Sequence, residues 1–200
     1  MKFTLSVLSI FFTVYILSFS ENSVNEHKYY PLNIGDNWVY FLGDTTEKAF
    51  LKFTIVSNDT INGNRFVTTK QEWYKGDSML YNQEYYQTLD NGFVITTYNK
   101  QKPVYQIVQQ CDGSVKYTES IATKYGVILT EDQKELLLST KASFTFIEFE
   151  SGTHSVWEFR NKSEVSKFAE NIGLVYLKNE NVRLRLHSAT IRNKTYKLLQ

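Results

Sequence analysis

The sequence predicts an all-β protein, in which a mainly antiparallel meander forms a curved sheet or half-barrel with at most one or two short helices after a signal peptide. Two observations predict this fold. The chain has 14 tyrosines and 14 phenylalanines but only two prolines, and such a composition favours sheet over helix. Beyond residue 45, short stretches of alternating apolar and polar side chains are separated by turn signals, a pattern typical of consecutive antiparallel strands.

The first core strand is predicted in the segment 29–41. Pro31 favours an extended backbone just before it, and Gly35, followed by Asp and Asn, favours a tight turn. The strand after this turn places Trp38 and Tyr40 on one face and apolar residues on the other as well. A strand that is apolar on both faces is typical of the interior of a sheet. Trp38 is therefore predicted to anchor the core, with a ligand-stacking platform as the alternative.

The other strands follow from alternation and from turn signals. Asn62-Gly63-Asn64 and Asp90-Asn91-Gly92 predict hairpin turns, and Thr130 with Gln133 resembles a capping box that predicts a helix over 131–139. In the strand over 79–89, Met79, Tyr81, Tyr85 and Leu89 are predicted to share one face. Strands are predicted over 49–57, 65–75, 79–89, 93–98, 103–109, 143–150, 155–160, 173–177, 182–189 and 194–198.

The first 20 residues have the features of a secretory signal peptide. Lys2 supplies a positive charge, an apolar run follows over 3–19, and small residues precede a predicted cut after Ser20. Cleavage there leaves a flexible segment over 21–28 and a single β-rich domain over 29–200. The protein is therefore predicted to be exported to the periplasm, the outer surface or the medium, with no stable membrane span after cleavage. An uncleaved N-terminal anchor is the alternative.

Charge and cysteine content narrow the classes of function. Removing Lys2 from the 22 basic residues leaves 21, against 21 acidic residues, so the mature chain has no net charge that would favour nucleic acid. The lone Cys111 cannot form an internal disulfide. It lies in a predicted turn without an oxyanion-hole motif, which disfavours a nucleophilic dyad with a histidine.

Familiar catalytic and cofactor motifs are missing from the sequence. His27, His154 and His187 lie far apart and match no zinc-binding spacing, so no metal and no cofactor are predicted. The chain also lacks a serine-hydrolase elbow, a phosphate-binding glycine loop and a dinucleotide fingerprint. An enzyme is therefore disfavoured. The remaining catalytic alternative is a hydrolase whose carboxylate site consists of Glu148, Glu150 and Glu158.

Each end of the predicted domain carries a motif. The first is Pro31-Leu32-x-x-Gly35-x-x-Trp38-x-Tyr40, and the second is Phe168-Ala169-x-x-Ile172-Gly173-Leu174-Val175, followed by a closing strand with Leu184 and Ala189. Together they resemble a broad group of exported bacterial β-rich proteins of unknown function. This resemblance implies an all-β domain outside the cytoplasm that is similar to the lipoprotein-carrier half-barrels, and it implies no reaction. The first motif is expected to pair with the C-terminal strands.

The sequence thus predicts an exported, non-enzymatic binding module that holds a lipid or another hydrophobic ligand in its curved sheet. The alternative is an assembly protein that docks an envelope protein through an edge strand. A surface patch is predicted on the polar face of the strand over 182–189, at Arg183, Arg185 and His187. The candidates for ligand contact are aromatic residues of the predicted strands: Trp38, Tyr40, Trp73, Tyr81, Tyr85 and Trp157.

Overall fold

A computed structural model of the protein describes residues 28–43, 49–114 and 116–199. The predicted signal peptide lies outside the described residues. The described residues form two short helices, α1 (Glu119–Tyr125) and α2 (Glu131–Ser139). The strands are β1 (Asn37–Leu42), β2 (Ala49–Ile61), β3 (Asn64–Lys75), β4 (Ser78–Asp90), β5 (Phe93–Thr97), β6 (Gln106–Gln110), β7 (Lys141–Phe149), β8 (Gly152–Arg160), β9 (Val165–Ala169), β10 (Gly173–Lys178), β11 (Arg183–Ile191) and β12 (Lys194–Lys197).

The strands form one open, curved antiparallel sheet, which confirms the predicted fold class. Its order is β6-β5-β4-β3-β2-β1-β11-β10-β9-β8-β7, and β12 pairs with β11. Two meanders, β1–β6 and β7–β11, therefore meet where β1 pairs with β11. At this junction Trp38 lies opposite Ala189, and Tyr40 lies opposite Leu186. The expected pairing of the first core strand with the C-terminal strands is confirmed. No helix in the part of the chain that the structure describes is long and apolar enough to span a membrane.

The turn before β1 also ties the two ends of the domain together. Gly35 has a φ of 92°, a conformation that side chains disfavour. The buried carboxylate of Asp36 accepts hydrogen bonds from the Asn33 backbone N–H (3.1 Å) and side-chain amide (2.9 Å). Its second oxygen accepts from the backbone N–H of Arg192 (2.8 Å), in the turn between β11 and β12. The start of β1 is thus fixed to the end of β11.

The sheet buries side chains on both faces. We call the face that carries Trp38 and Tyr40 the inner face, and the opposite face, which carries Phe41, the outer face. The larger apolar cluster contains Trp38 and Tyr40, and a second cluster on the outer face of β3 to β6 is covered by α1. All five residues of β5 are buried as a result. The second cluster consists of Ile61, Phe66, Phe93, Ile95, Ile121 and Tyr125.

The helix α2 is confirmed at its predicted bounds, whereas α1 and β9 were not predicted. The capping box at α2 is complete, because Thr130 Oγ1 accepts from the Gln133 N–H (3.3 Å) and the Thr130 N–H donates to Gln133 Oε1 (2.9 Å). The α1 helix has only seven residues and is held by burial of its apolar side against the sheet. The predicted strand over 103–109 is confirmed only in its second half, because β6 begins at Gln106.

One predicted face assignment is wrong because of a β-bulge. Trp73 pairs with Tyr81, but Tyr74 pairs with Met79, so Leu80 is an extra residue in β4. A bulge of this kind reverses the faces of the residues beyond it. Met79 therefore lies on the outer face, while Tyr81 and Tyr85 share the inner face as predicted.

Candidate functional site

A cavity of about 200 Å³ lies on the inner face, where the curved sheet brings the β1–β6 half towards β10 and β11. None of the described residues that line it is charged. Its aromatic lining residues are Tyr30, Trp38, Tyr40, Phe53, Tyr85 and Tyr98, the aliphatic ones are Leu32, Val108, Leu174, Leu177 and Leu184, and the polar side chains are Thr69, Gln71, Gln87, Thr96 and Gln109. We call this cavity the inner pocket.

Packed rings form one wall of the inner pocket. Ring centroids lie 5.7 Å apart for Tyr40 and Phe53, 6.4 Å for Phe53 and Tyr85, and 5.7 Å for Tyr85 and Tyr98. Trp38 Nε1 donates to the Ile172 carbonyl (2.6 Å), and the Tyr40 hydroxyl donates to the Leu174 carbonyl (2.8 Å). Both rings are thus fixed against the loop before β10 and against β10 itself. This wall is preformed and aromatic, as is usual for sites that bind small apolar molecules.

The polar side of the inner pocket contains a hydroxyl group without a partner. Thr69 Oγ1 donates to Gln87 Oε1 (3.0 Å), and Gln87 Nε2 donates to the Tyr30 hydroxyl (3.2 Å). Thr96 is 1% exposed, and its Oγ1 has no hydrogen-bond partner within the described ranges. A buried hydroxyl is usually hydrogen-bonded. Thr96 therefore places a buried hydroxyl, without a partner among the described residues, beside the inner pocket.

Three phenols of the inner pocket are held in their protonated form. Burial raises the pKa of the Tyr30, Tyr40 and Tyr85 phenols above their usual range, because the low-dielectric surroundings disfavour the phenolate. These three hydroxyls therefore stay protonated near neutral pH. The described lining residues offer a ligand no charged partner.

The structure brings three of the six predicted aromatic candidates into the inner pocket, namely Trp38, Tyr40 and Tyr85. Trp73 and Tyr81 pair on the same face but lie at the far end of the β3–β4 hairpin, where they are 44% and 49% exposed. Trp157 lies in β8 and packs against Gly113 so closely that an added Cβ would overlap its indole.

Sequence reasoning missed Phe53, Tyr98 and Thr96 as lining residues. Alternation in the strand over 93–98 could have identified Thr96 and Tyr98, because both lie on the face that also carries Val94. Phe53 was predicted only as one of the alternating apolar residues of its strand. Nothing in the sequence indicated that the Thr96 hydroxyl has no partner.

Two of the three predicted surface residues, Arg185 and His187, lie against Phe41 on the outer face. The Arg185 guanidinium lies 5.6 Å from the centre of the Phe41 ring, and the His187 ring lies 4.7 Å from it. Arg183 precedes them on the same strand, and a β-bulge at His187 separates Leu186 from Ser188 in the pairing with β1.

The predicted carboxylate cluster does not form. Glu148 lies opposite Thr153 and Glu158 lies opposite Ser143, so Glu148 and Glu158 lie on opposite faces of the sheet. Glu158 instead forms ion pairs with Arg160 (2.9 Å) and Lys167 (2.8 Å). Hydrogen bonds from Lys167 and then Arg160 hold the pKa of Glu158 below its usual range. Among the described residues, no group of three His, Cys, Asp or Glu side chains could hold a metal ion.

Cys111 directly follows β6 and is buried in the larger core. Its Sγ donates to the Gly92 carbonyl (3.4 Å), and burial raises the pKa of the thiol well above its usual range.

Because the thiolate is the reactive form, we expect Cys111 to resist alkylation by iodoacetamide at pH 8 in the native protein. In 6 M guanidinium it should react at once. Mass spectrometry measures both labelling rates. Equal labelling rates in the two states would show that the thiol is accessible.

No protein-family model matches the sequence, and neither does any curated protein. Among solved structures, the chain is similar to a crystal structure of a putative lipoprotein from Parabacteroides distasonis. The two share 10% sequence identity with a TM-score of 0.44, and the similarity covers 84% of this chain and 98% of that chain. A similarity at this level assigns no function.

Proposed function

We propose that the protein is an exported, non-enzymatic binding protein that holds a small, uncharged, mainly apolar ligand in the inner pocket. The observation that carries this proposal is the pocket itself: a cavity with a fixed aromatic wall, no charged lining residue among those described, and one buried hydroxyl without a partner. Export rests on the signal-peptide features of the first 20 residues.

The size of the pocket limits the ligand. Its volume of about 200 Å³ exceeds the roughly 150 Å³ of an engineered apolar cavity that binds benzene. It is smaller than the roughly 300–1,000 Å³ that is usual for drug-sized ligands. The inner pocket therefore suits one substituted ring or a short hydrocarbon chain, not a complete phospholipid.

The polarity of the pocket sets the kind of ligand. A charged group would lose its hydration without meeting an opposite charge, which is costly. One hydroxyl or carbonyl group, in contrast, can pair with Thr96 Oγ1. We therefore assign an uncharged ligand with a single hydrogen-bonding group on an apolar body.

The test uses Thr96→Val, which keeps the shape of the side chain and removes the hydroxyl. Without ligand, the variant should be more stable by about 1 kcal/mol in urea unfolding, because a buried, unpaired hydroxyl is lost. Its affinity for p-cresol should fall roughly fivefold, the value of one net hydrogen bond, while its affinity for toluene should not fall. Calorimetric titration of both probes measures this difference.

Thr54→Val is the matched control. Thr54 also has a buried Oγ1 without a partner in the described part of the protein, but it faces away from the inner pocket, in register with Asn37. This control should gain stability and keep its affinity for p-cresol. If the wild-type protein bound neither p-cresol nor toluene saturably, the proposed function would be wrong.

The docking of an envelope protein at an edge strand stays a prediction, favoured by the exposed Phe144 and Phe146 on β7.

A further inference from the structure

The outer face of the C-terminal meander presents basic side chains from four neighbouring strands. Arg183 lies opposite Lys178, and Lys178 is one of four cations that line one depression. Lys167 lies opposite Tyr176, and Tyr176 lies opposite Arg185, so these three side chains share a face. Arg160 shares this face because it lies two residues from Glu158, which lies opposite Lys167. Lys178 shares it because it lies two residues from Tyr176. The four cations are Arg160 on β8, Lys167 on β9, Lys178 on β10 and Arg185 on β11.

These cations surround a depression of about 360 Å³, which we call the outer groove. Ile147, Val165, Val175 and Leu198 supply its apolar surface. The C-terminal segment walls one side, because it returns from β12 to the end of β7, where Leu198 pairs with Phe149. The Glu150 N–H also donates to the Lys197 carbonyl there (2.9 Å). The outer groove is therefore a formed concavity rather than a flat strand face.

The outer groove is lined by four cationic side chains and, among the described residues, by no carboxylate. Glu158 contacts Lys167 and Arg160 but does not line the groove. Within the described ranges, Lys178 and Arg185 have no ion pair to a carboxylate, and the guanidinium of Arg185 lies over Phe41. Like charges on adjacent strands repel one another. An anion bound between them would relieve this repulsion.

We infer that the outer groove binds the anionic head group of an amphiphile, a carboxylate or a phosphate attached to an apolar chain. Lys178 and Arg185 would bind the head group, since oxygen anions form their strongest hydrogen bonds with ammonium and guanidinium groups. The chain would lie on Ile147, Val165 and Leu198. The outer groove lies on the opposite face of the sheet from the inner pocket, so this site does not depend on the proposed function.

The head group could come from a free amphiphile or from a membrane lipid. The experiment therefore titrates the mature protein with sodium decanoate below its micelle concentration in one arm. In the other arm it measures cosedimentation with phosphatidylglycerol vesicles, with phosphatidylcholine vesicles as the uncharged control. The test variant is Lys178→Gln with Arg185→Gln. The matched control is Lys102→Gln with Lys116→Gln, which removes the same charge outside the outer groove.

We expect the groove variant to lose at least about tenfold in affinity, because it removes two charged hydrogen-bond donors, and the control variant to change less than twofold. Groove-dependent binding of decanoate identifies a free amphiphile as the ligand, and groove-dependent binding of phosphatidylglycerol vesicles alone identifies a membrane lipid. The inference is overturned if neither probe binds, or if both double variants lose equal affinity. Urea unfolding of all variants shows whether each remains folded, and Thr96→Val should leave decanoate binding at the groove unchanged.

Discussion

Replacing Trp38 with alanine is expected to lower the free energy of unfolding by about 3–5 kcal/mol, as for other buried large-to-small changes. Trp38 is 7% exposed, lies in the strand that joins the two meanders, and donates to the Ile172 carbonyl over 2.6 Å. The substitution removes the ring from the core and leaves that carbonyl without its donor. Urea or guanidinium unfolding followed by circular dichroism measures the effect.

Trp73→Ala is the matched control for this prediction. Trp73 has the same side chain on the same inner face but is 44% exposed near the β3–β4 turn. Its replacement should cost clearly less than that of Trp38, since Trp73 keeps nearly half of its surface in solvent and less apolar area is lost. A change below about 1 kcal/mol for Trp38→Ala itself would mean that Trp38 is not a core anchor, and a ligand-stacking role would then account for it better.

Asp36→Ala is expected to be the second most damaging substitution, with a loss of about 3 kcal/mol. Asp36 is 1% exposed, and its carboxylate accepts from two groups of Asn33 and from the backbone of Arg192. Alanine would leave these donors without their acceptor and would release the turn before β1 from the turn after β11. Thermal and chemical unfolding measure the loss.

The exposed Asp77, in the turn between β3 and β4, provides the control for Asp36. Asp77→Ala removes the same charge at a surface position and should change stability by less than about 0.5 kcal/mol. Equal losses for the two variants would indicate an effect of net charge rather than of the three hydrogen bonds.

The features predicted best from the sequence are those that local chemistry determines. The bounds of α2 follow from Thr130 and Gln133, which cap the helix with their own side chains. The β2–β3 hairpin follows from Asn62-Gly63, since both residues adopt the positive φ that such a turn requires. The position of β1 follows from Trp38 and Tyr40, whose burial requires neighbours on both sides of the strand.

The features that were missed depend on distant parts of the chain. The short helix α1 is held by the outer face of the sheet, and the bulge at Leu80 is set by the pairing of β3 with β4. The inner pocket shows the same limit. Alternation places Tyr81 and Tyr85 on one face, but only the curvature of the sheet decides that Tyr85 reaches the pocket. The register of β7 with β8 likewise separates Glu148 from Glu158.

The central claim is that the inner pocket binds an uncharged apolar molecule with one hydrogen-bonding group. A crystal structure of residues 21–200 soaked with p-cresol tests it most directly. We expect the ring to lie against Tyr40, Phe53 and Tyr85, with its hydroxyl within about 3 Å of Thr96 Oγ1, the usual O–H···O distance. An inner pocket that stays free of p-cresol at saturating concentration, or that is filled by protein side chains, would contradict the claim.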